Sequence, residues 1–501
     1  MVQLLKVLHK LGFLSPHGIN AFLSAMKRDG INLMLLLTMN NQKKGHQIAL
    51  IDGNKTWTYN ELRLQSEKLV TLLTLRCEIE EGQKIAFLCK NHSGLVQALF
   101  AFSRLGTQLF LLNPSMSRLQ FDQLAEEHDF GCVVFDEEFR FLVEASPKQL
   151  KKLTLSQVIE QAETVEIGRL EPSSKSKIVL LTGGTTGKPK QAVHEPSIFN
   201  FLAPFSALLE RLQLLNSHTA YIATPIYHGY GIAILLAFMA LGKKVVIHDK
   251  FDEKKACELV FEHKVDVITV VPLMIHKMLE TDSEALGTLT CIASGGAKLS
   301  ERLVENVQNR LGDVLYNLYG TSETGLNLIA TPTDLAVNAN TVGKPVIGGR
   351  FAVMQEGAEV NIGKIGHFCI QNKWSMKNEK NGLIDTGDLG YRDKQGRYFL
   401  SGRADDLVIS AGMNIYPNDI ETVLAAHAAI EDATVIGVDC KHYGQTVKAF
   451  VQLRPDKSIS QFELREWLST KLAKYQMPKD IVFMEHLPYT ALGKLDKKQL
   501  K

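Results

Sequence analysis

The feature that most constrains the fold is an alternation of short apolar runs with helical patterns, which starts near residue 84. The runs are rich in Val, Ile and Leu, as strands covered by helices on both faces are. They are Ile85–Leu88, Leu109–Leu112, Cys132–Phe135, Ile178–Leu181, Tyr221–Ala223, Val245–Ile247, Val265–Val271 and Leu289–Ala293. Helical stretches between them, such as Lys254–His263 and Leu299–Leu311, would supply the crossovers. The pattern predicts an α/β fold of mainly parallel sheets covered by helices.

The sequence pattern changes after residue 345, where the apolar segments become shorter and the chain is richer in Gly and charged residues. This change favours antiparallel strands, and Phe462–Leu472 has the pattern of an amphipathic helix. A chain of 501 residues is too long for one core. We place the boundary at the charged run Gly402–Asp406. The prediction is a large domain over residues 1–404 and a small α+β domain over residues 405–501.

Composition excludes several classes of function. Hydrophobic residues make up 45% and charged residues 22%, as in ordinary globular proteins, and a net charge of +2 gives no argument for a nucleic-acid partner. The seven cysteines form no CxxC pair, so neither a zinc site nor a disulfide framework is indicated. An odd number of cysteines fits a reducing compartment, and we expect a cytoplasmic protein.

The N-terminal residues 1–45 form a predicted helical extension. Apolar residues recur at helical spacing from Leu4 to Leu11, and a second apolar patch covers Leu33–Leu37. Neither patch has the features of a secretory signal or the roughly 20 apolar residues of a membrane span. We expect two helices packed on the body of the protein. The alternative is a weak peripheral membrane contact through these helices, so a membrane-associated protein stays open.

A Gly- and Thr-rich run follows the apolar run Ile178–Leu181. Its residues are Thr182, Gly183, Gly184, Thr185, Thr186, Gly187, Lys188, Pro189 and Lys190. Glycines let a backbone approach a ligand closely, and the hydroxyls and two lysines suit a triphosphate. The run is not a Walker A loop, because that motif needs Gly at position 182 and Ser or Thr at position 189.

Three further runs carry chemistry, although each is a weak signal alone. Tyr319-Gly320-Thr321-Ser322-Glu323 offers an aromatic face, hydroxyls and a carboxylate that could hold magnesium beside phosphates. Asp388, followed closely by Arg403, offers an acceptor and a cation for a sugar or a phosphate. Lys494 follows a glycine near the C-terminus, where a lysine could swing into a site.

Taken in order, these runs resemble the core motifs of the adenylate-forming superfamily. That superfamily contains acyl-CoA synthetases, aryl-CoA ligases, firefly luciferase and the adenylation domains of peptide synthetases. The resemblance covers the chain from Trp57–Leu62, which is similar to the family's TYxEL segment, to Lys494. Departures are Gly183 for the usual Ser, Gln191 for the usual Gly, and Ser322 for the usual Thr.

The resemblance implies a role for each site residue. Residues 182–190 resemble the phosphate loop, Tyr319 the aromatic that stacks on adenine, and Asp388 with Arg403 the ribose-binding pair. The predicted nucleotide-binding set further includes Gly295, Gly296, Ala297, Gly320, Thr321 and Ser322, and the predicted magnesium ligands are Thr185 and Glu323. The predicted catalytic residues are Lys494, Glu323 and His228, the last beside the acyl carboxylate.

The resemblance also implies a reaction in two steps that uses ATP, Mg²⁺ and coenzyme A. Lys494 and Mg²⁺ would offset the charge that builds when a carboxylate attacks the α-phosphate. A thiol would then displace AMP from the acyl-adenylate. The small domain is expected to be mobile and to rotate about Asp405, after which Ala411 and Gly412 face the thiol.

We therefore predict an AMP-forming acid–thiol ligase that makes acyl-CoA, with a medium- or long-chain fatty acid as the preferred substrate. One alternative is an aryl or o-succinylbenzoate-type acid, which the segment Pro225–His228 also fits. Another is the loading of a separate acyl carrier protein. A nucleotide-binding protein without catalysis is disfavoured by the presence of Lys494. The sequence leaves open whether the chain forms a homodimer.

Overall fold

The structure of the protein is a computed structural model. It describes residues 15–500 apart from 54, 147–149, 169–170, 174–175, 183–189, 195–197, 322, 373–374, 376–381, 411–412, 441–443 and 491–494. At residues 17, 181–182, 190–194, 198–204 and 498 only the backbone is described.

The first part of the chain builds a sheet of six described strands in the order β6-β5-β3-β4-β7-β8. All neighbours in it are parallel except β7 and β8. The elements are α1 Pro16–Asp29, α2 Met34–Lys44, β1 Ile48–Asp52, β2 Lys55–Thr58, α3 Tyr59–Leu75, β3 Lys84–Leu88, α4 Ser93–Arg104, β4 Gln108–Leu111, α5 Arg118–His128, β5 Cys132–Phe135, α6 Arg140–Glu144, β6 Lys151–Thr154, α7 Leu155–Glu163, β7 Lys177–Thr182, β8 Lys190–His194 and α8 Ile198–Arg211.

The next part of the chain builds a second parallel array in the order β13-β12-β11-β9-β10-β1. Strand β1 joins this array from far earlier in the sequence. The elements are β9 Thr219–Ile222, α9 Gly229–Leu241, β10 Lys244–Ile247, α10 Glu253–His263, β11 Val267–Val270, α11 Pro272–Thr281, β12 Cys291–Gly295, α12 Glu301–Leu311, β13 Leu315–Thr321, β14 Gly325–Ala330, α13 Pro332–Val337 and β15 Thr341–Pro345.

An antiparallel extension continues this array through β15, which pairs with β14 on one side and β20 on the other. Its strands follow the order β17-β16-β18-β19-β20. They are β16 Arg350–Gln355, β17 Ala358–Glu359, β18 Gly366–Gln371, β19 Ile384–Arg392 and β20 Tyr398–Arg403. The extension matters for function because it brings β19 and β20 beside the end of β13.

A separate sheet forms after a short 3₁₀ turn at Ala404–Asp406. Its order is β22-β21-β24-β23, with β25 parallel to β24. The elements are β21 Val408–Ser410, β22 Met413–Ile415, α14 Pro417–Ala425, β23 Ile430–Cys440, β24 Gly444–Leu453, α15 Gln461–Ser469 and β25 Asp480–Met484. Ile420, Leu424, Val435, Leu464 and Leu468 meet in its own apolar core. This part of the chain is called the small domain below.

The fold confirms the predicted class, with mainly parallel sheets followed by antiparallel strands and a smaller α+β part. Several bounds differ from the sequence prediction. The strand predicted at Leu289–Ala293 is Cys291–Gly295, and the helix predicted at Phe462–Leu472 is Gln461–Ser469. Strands β1 and β2 were not predicted. They lead into the TYxEL-like segment, where Thr58 and Glu61 form a capping box that begins α3.

The predicted apolar patch near Leu33–Leu37 lies on α2. Met34 and Leu37 of this helix belong to the large core around β1, β3 and β9. The first predicted helical patch, Leu4–Leu11, lies outside the described residues. Within the described ranges, no helix has the length and apolar character needed to cross a bilayer. The helix α2 therefore packs on the body of the protein, as expected.

The small domain contacts α11 and the loop after β12. The imidazole Nε2 of His276 lies 3.1 Å from a carboxylate oxygen of Glu431. The ammonium of Lys298 donates to the hydroxyl of Thr422 over 2.7 Å. The hydrogen bond to Glu431 raises the pKa of His276, and the same contact lowers the pKa of Glu431. This pair is a charged contact between the two parts of the chain.

Candidate active site

Three of the predicted site residues, together with Val271, lie where parallel strands end. His228 follows β9, Val271 follows β11, Gly295 ends β12, and Tyr319 lies near the end of β13. These strands run in one direction, so their carboxyl ends meet at the same edge. That edge is where ligands bind in open α/β sheets. The topology thus brings together residues that are up to 91 positions apart in the sequence.

The turn after β12 leaves its backbone accessible. Gly296 has a φ of +80°, a conformation that residues with a Cβ rarely adopt. A Cβ on Gly295 would stand 3.1 Å from the carbonyl oxygen of Leu318, which is a tight contact. The φ of Gly296 therefore favours glycine, and Gly295 leaves room for close packing; with Ala297 they form the turn that the resemblance places beside adenine.

Tyr319, Asp388 and Arg403 form one hydrogen-bonded network. The Tyr319 hydroxyl donates to one carboxylate oxygen of Asp388 over 2.5 Å, and Nη1 of Arg403 donates to the other over 3.0 Å. Asp388 and Arg403 are direct partners across β19 and β20. Burial, and secondarily the Asp388 charge, raises the pKa of Tyr319, so its hydroxyl stays protonated and donates.

The ring of Tyr319 is held in place by aromatic neighbours. It packs edge-on against Phe351 at 6.4 Å and Phe368 at 5.9 Å between ring centroids. The Arg403 Nη1 atom also donates to the carbonyl of Thr386 over 2.8 Å. The aromatic and the ribose-binding pair of the resemblance are thus neighbours in one rigid group.

The loop after Tyr319 carries Thr321 and Glu323, while Ser322 lies outside the described residues. The Thr321 and Thr324 hydroxyls are 2.9 Å apart. Asn372 donates to the Thr324 carbonyl over 3.0 Å, and Asn327 donates to its hydroxyl over 2.6 Å. Thr324, Asn327 and Asn372 were not among the predicted site residues. The sequence signal was limited to Asn327, a polar residue between the apolar Leu326 and Leu328 of β14.

The donor set at this loop fits magnesium. Mg²⁺ is commonly held by one or two carboxylates together with substrate phosphates. Glu323 supplies one carboxylate in a turn, with Gly320 before it and the Thr321 hydroxyl nearby. Among the residues that the structure describes, no group of three or more His, Cys, Asp and Glu side chains could form an all-protein metal site. A site completed by ATP phosphates suits these residues.

Residues 183–189 of the predicted phosphate loop lie outside the described part of the chain. The flanking strands are described: β7 ends at Thr182 and β8 begins at Lys190. These two residues are direct partners in the antiparallel pair. The predicted loop therefore connects the ends of a hairpin.

His228 stands at the start of α9, after a turn closed by its own N–H, which donates to the carbonyl of Pro225 over 3.2 Å. Tyr230 lies two residues further on, and its hydroxyl donates to the carbonyl of Ala293 over 2.6 Å. The ring edge of Tyr230 would lie 3.7 Å from a Cβ on Gly295. The Tyr230 ring therefore forms a wall next to the turn at Gly295, Gly296 and Ala297, which is called the nucleotide turn below because the resemblance places it beside adenine.

The remaining predicted residues belong to the small domain or its connection. Asp405 lies in the 3₁₀ turn, 3.6 Å from Nη2 of Arg403. Ala411 and Gly412 lie outside the described residues, between the paired residues Ser410 and Met413. Lys494 also lies outside them, directly before Leu495, which forms a β-bridge with Tyr489.

Comparison with known proteins decides the family. The AMP-binding enzyme family matches residues 37–378, and the AMP-binding enzyme C-terminal domain matches residues 419–494. The chain belongs to the AMP-binding enzyme family. Among curated proteins, the 2-succinylbenzoate–CoA ligase of Bacillus subtilis is 28% identical over 91% of this chain and 95% of its own length. The corresponding Geobacillus ligase is also 28% identical, over 91% of this chain and 94% of its own length.

Solved structures with the same fold also match this chain. The o-succinylbenzoate CoA synthetase of Bacillus subtilis with its acyl-adenylate intermediate matches with a TM-score of 0.83 and 27% identity, over 93% of this chain and 97% of that chain. The same enzyme with ATP and a magnesium ion has a TM-score of 0.82 and 27% identity, over 93% of this chain and 98% of that chain. ATP-bound MatB from Rhodopseudomonas palustris, at 23% identity over 94% of this chain and 98% of that chain, shares the fold with a TM-score of 0.83.

These findings confirm the prediction of an AMP-binding, acid–thiol ligase type enzyme that uses ATP, Mg²⁺ and coenzyme A. They favour the aryl alternative over the fatty-acid substrate, because the two curated relatives are 2-succinylbenzoate–CoA ligases. Their names give no support to a role in fatty acid metabolism. The membrane contact and the homodimer are supported by none of them.

Proposed function

We propose that this protein is an ATP-dependent CoA ligase for an aromatic carboxylic acid of the 2-succinylbenzoate type. The observation that carries the proposal is the match to 2-succinylbenzoate–CoA ligases over nearly the whole length of both proteins. The fatty-acid substrate predicted from the sequence is the competing reading. Both readings share the same adenylation chemistry.

The wall formed by Tyr230 supports an aromatic acid. Its ring lies beside the nucleotide turn, and its hydroxyl is already occupied by the Ala293 carbonyl. The ring is therefore the part of the side chain that remains to stack on or edge against an aryl group. Val271 adds an apolar side chain that would be 3.7 Å from a Cβ on Gly296. This side of the site thus offers an apolar, rigid surface.

The residues of the chain would act in two steps. First the acyl carboxylate attacks the α-phosphorus of ATP, which forms the acyl-adenylate and releases pyrophosphate. The Asp388–Arg403 pair would bind the ribose, and Tyr319 would stack on the base. Lys494 would stabilise the negative charge that develops at the phosphate. Magnesium held by Glu323 would supply further charge neutralisation. The CoA thiolate then attacks the acyl carbon, and AMP leaves.

A pyrophosphate-release screen tests the proposal. The acids are 2-succinylbenzoate, benzoate and a straight-chain series from short to long, each with and without CoA. We expect the highest kcat/KM for 2-succinylbenzoate, with thioester formed only when CoA is present. The Asp388→Asn variant is the matched control for background release, because it keeps the shape of the side chain and removes its charge.

The screen separates the competing readings. If kcat/KM rises with each added methylene, by up to the roughly 0.8 kcal/mol that a buried methylene contributes, the substrate is a fatty acid and the aromatic proposal is wrong. Adenylate formation without a thioester product on CoA would instead point to a carrier protein as the acceptor.

A further inference from the structure

The turn that presents His228 depends on a side chain from the other sheet. Residues Pro225–His228 leave β9 and lead into α9. Two backbone groups flank Pro225, namely the carbonyl of Thr224 and the N–H of Ile226. Thr224 is 3% exposed and Ile226 is fully buried, so both groups need a partner within the protein.

Asn91 satisfies both groups at once. Its Nδ2 donates to the carbonyl of Thr224 over 3.1 Å, and its Oδ1 accepts from the N–H of Ile226 over 2.8 Å. Asn91 is 5% exposed and comes from the loop between β3 and α4, more than 130 positions earlier in the sequence. An amide side chain is well suited to this place because it carries a donor and an acceptor side by side.

The loop that carries Asn91 is itself fixed by two carboxylates. Asp136 accepts from the N–H of Lys90 over 2.8 Å, and its other oxygen accepts from Nε2 of His92, also over 2.8 Å. His92 Nδ1 accepts from the N–H of Leu95, which places the ring proton on Nε2. On the other side, Asp52 accepts from the N–H of Ser93 over 2.7 Å. These hydrogen bonds thus fix the loop that places Asn91 against the Pro225–His228 turn.

The first turn of α9 restricts the Pro225–His228 turn on the side opposite to Asn91. A Cβ on Gly231 would collide with the carbonyl of Pro225, so the first turn of α9 packs directly on the turn. The N–H of His228 donates to that same carbonyl. Asn91 from one side and α9 from the other therefore define where His228 stands.

We propose that Asn91 is a positioning residue for His228 in the adenylation step. The proposal rests on the proposed function only in assuming that an acid is adenylated at this site. Loss of Asn91 leaves two buried backbone groups unpaired, and the turn must shift or admit water to satisfy them. A displacement of about 1 Å of a side chain that contacts the substrate, here His228 beside the acid, can lower the rate up to roughly a hundredfold.

The test uses the full-length Asn91→Ala variant and ATP–pyrophosphate exchange, with 2-succinylbenzoate or with whichever acid the substrate screen selects. We expect kcat/KM for the acid to fall roughly tenfold to a hundredfold. The Kd for ATP, measured by calorimetry without acid, should stay within about a factor of two. The matched control is Asn216→Ala, at an exposed asparagine just before β9, which should leave exchange unchanged.

A double variant shows whether the effect passes through His228. We expect Asn91→Ala to cause no further loss in a His228→Ala background. Additive effects would overturn the proposal, as would a lower melting temperature with normal acid kinetics, or an equal loss of ATP binding. If Asn91→Ala does not fold, Asn91→Asp gives the same test, because it keeps the shape and the acceptor for Ile226 while an oxygen, with its added charge, replaces the donor to Thr224.

Using the selected acid keeps this test separate from that of the proposed function. A protein that prefers a fatty acid would refute the aromatic substrate and still show the effect of Asn91.

Discussion

Removing the Tyr319 hydroxyl separates two roles that this side chain combines. In Tyr319→Phe the ring keeps its edge-on contacts with Phe351 and Phe368, so any stacking on adenine is preserved. The variant loses only the 2.5 Å hydrogen bond to Asp388. We expect weaker ATP binding and a less stable large domain.

The magnitude follows from the environment of Asp388. A hydrogen bond to a charged group contributes about 1.5–3 kcal/mol. Asp388 is 8% exposed and cannot replace the lost donor freely with water, but it keeps Arg403, whose side chain is 41% exposed. The lower end of the range is therefore expected, about 1.5 kcal/mol, which corresponds to a rise of roughly tenfold in the Kd for ATP if the loss falls on binding.

The assay is calorimetric titration with Mg·ATP, together with thermal unfolding of the free protein. Tyr319→Ala should weaken binding further, since stacking of a base on an aromatic ring is worth about 1–3 kcal/mol. The matched control is Tyr391→Phe on β19, the strand that carries Asp388, and it preserves the stacking of that ring on Phe399 at 5.0 Å. We expect this control to bind ATP normally.

Two results would refute this reasoning. If Tyr319→Phe bound ATP and unfolded like the unchanged protein, the hydroxyl would not support Asp388. If Tyr319→Phe and Tyr319→Ala lost equal affinity, the ring would make no contribution to nucleotide binding.

Three further predictions concern charge at the site and between the two parts of the chain. Lys494→Ala should abolish pyrophosphate exchange and spare thioester formation from preformed acyl-AMP and CoA; an equal loss of both steps would contradict a role in adenylation alone. Glu323→Gln should raise the magnesium concentration needed for half-maximal exchange, because an amide is a poorer ligand for a hard cation, and an unchanged requirement would remove Glu323 from the site. The raised pKa of His276 means that its contact with Glu431 is strongest below pH 6.5 and is lost as pH rises through the pKa in the folded protein. Proteolysis at the connection near Asp405 should therefore increase with pH, and His276→Gln should remove that dependence; if the variant retained it, another group would be responsible.

The sequence by itself determined the fold class and the order of the motifs. Apolar runs such as Cys132–Phe135 predict buried parallel strands, because a strand covered on both faces has no polar side. Local rules also explain the start of α3, where Thr58 and Glu61 cap the first turn. Motif order also led to the prediction that Tyr319, Asp388 and Arg403 bind the nucleotide, because these side chains occur in the order of the family motifs.

Only the tertiary structure decided which of these residues touch and what supports them. The pairing of β1 with β10 and of β15 with β20 joins segments far apart in the chain, and periodicity carries no information about such pairing. The bond from Tyr319 to Asp388 depends on that pairing, because it brings β19 and β20 beside β13. Asn91 is an ordinary polar residue in the sequence, and its proposed role arises because the fold brings it to the two buried backbone groups of Thr224 and Ile226 that flank Pro225. Local propensity specifies elements, whereas the satisfaction of buried polar groups is a property of the whole fold.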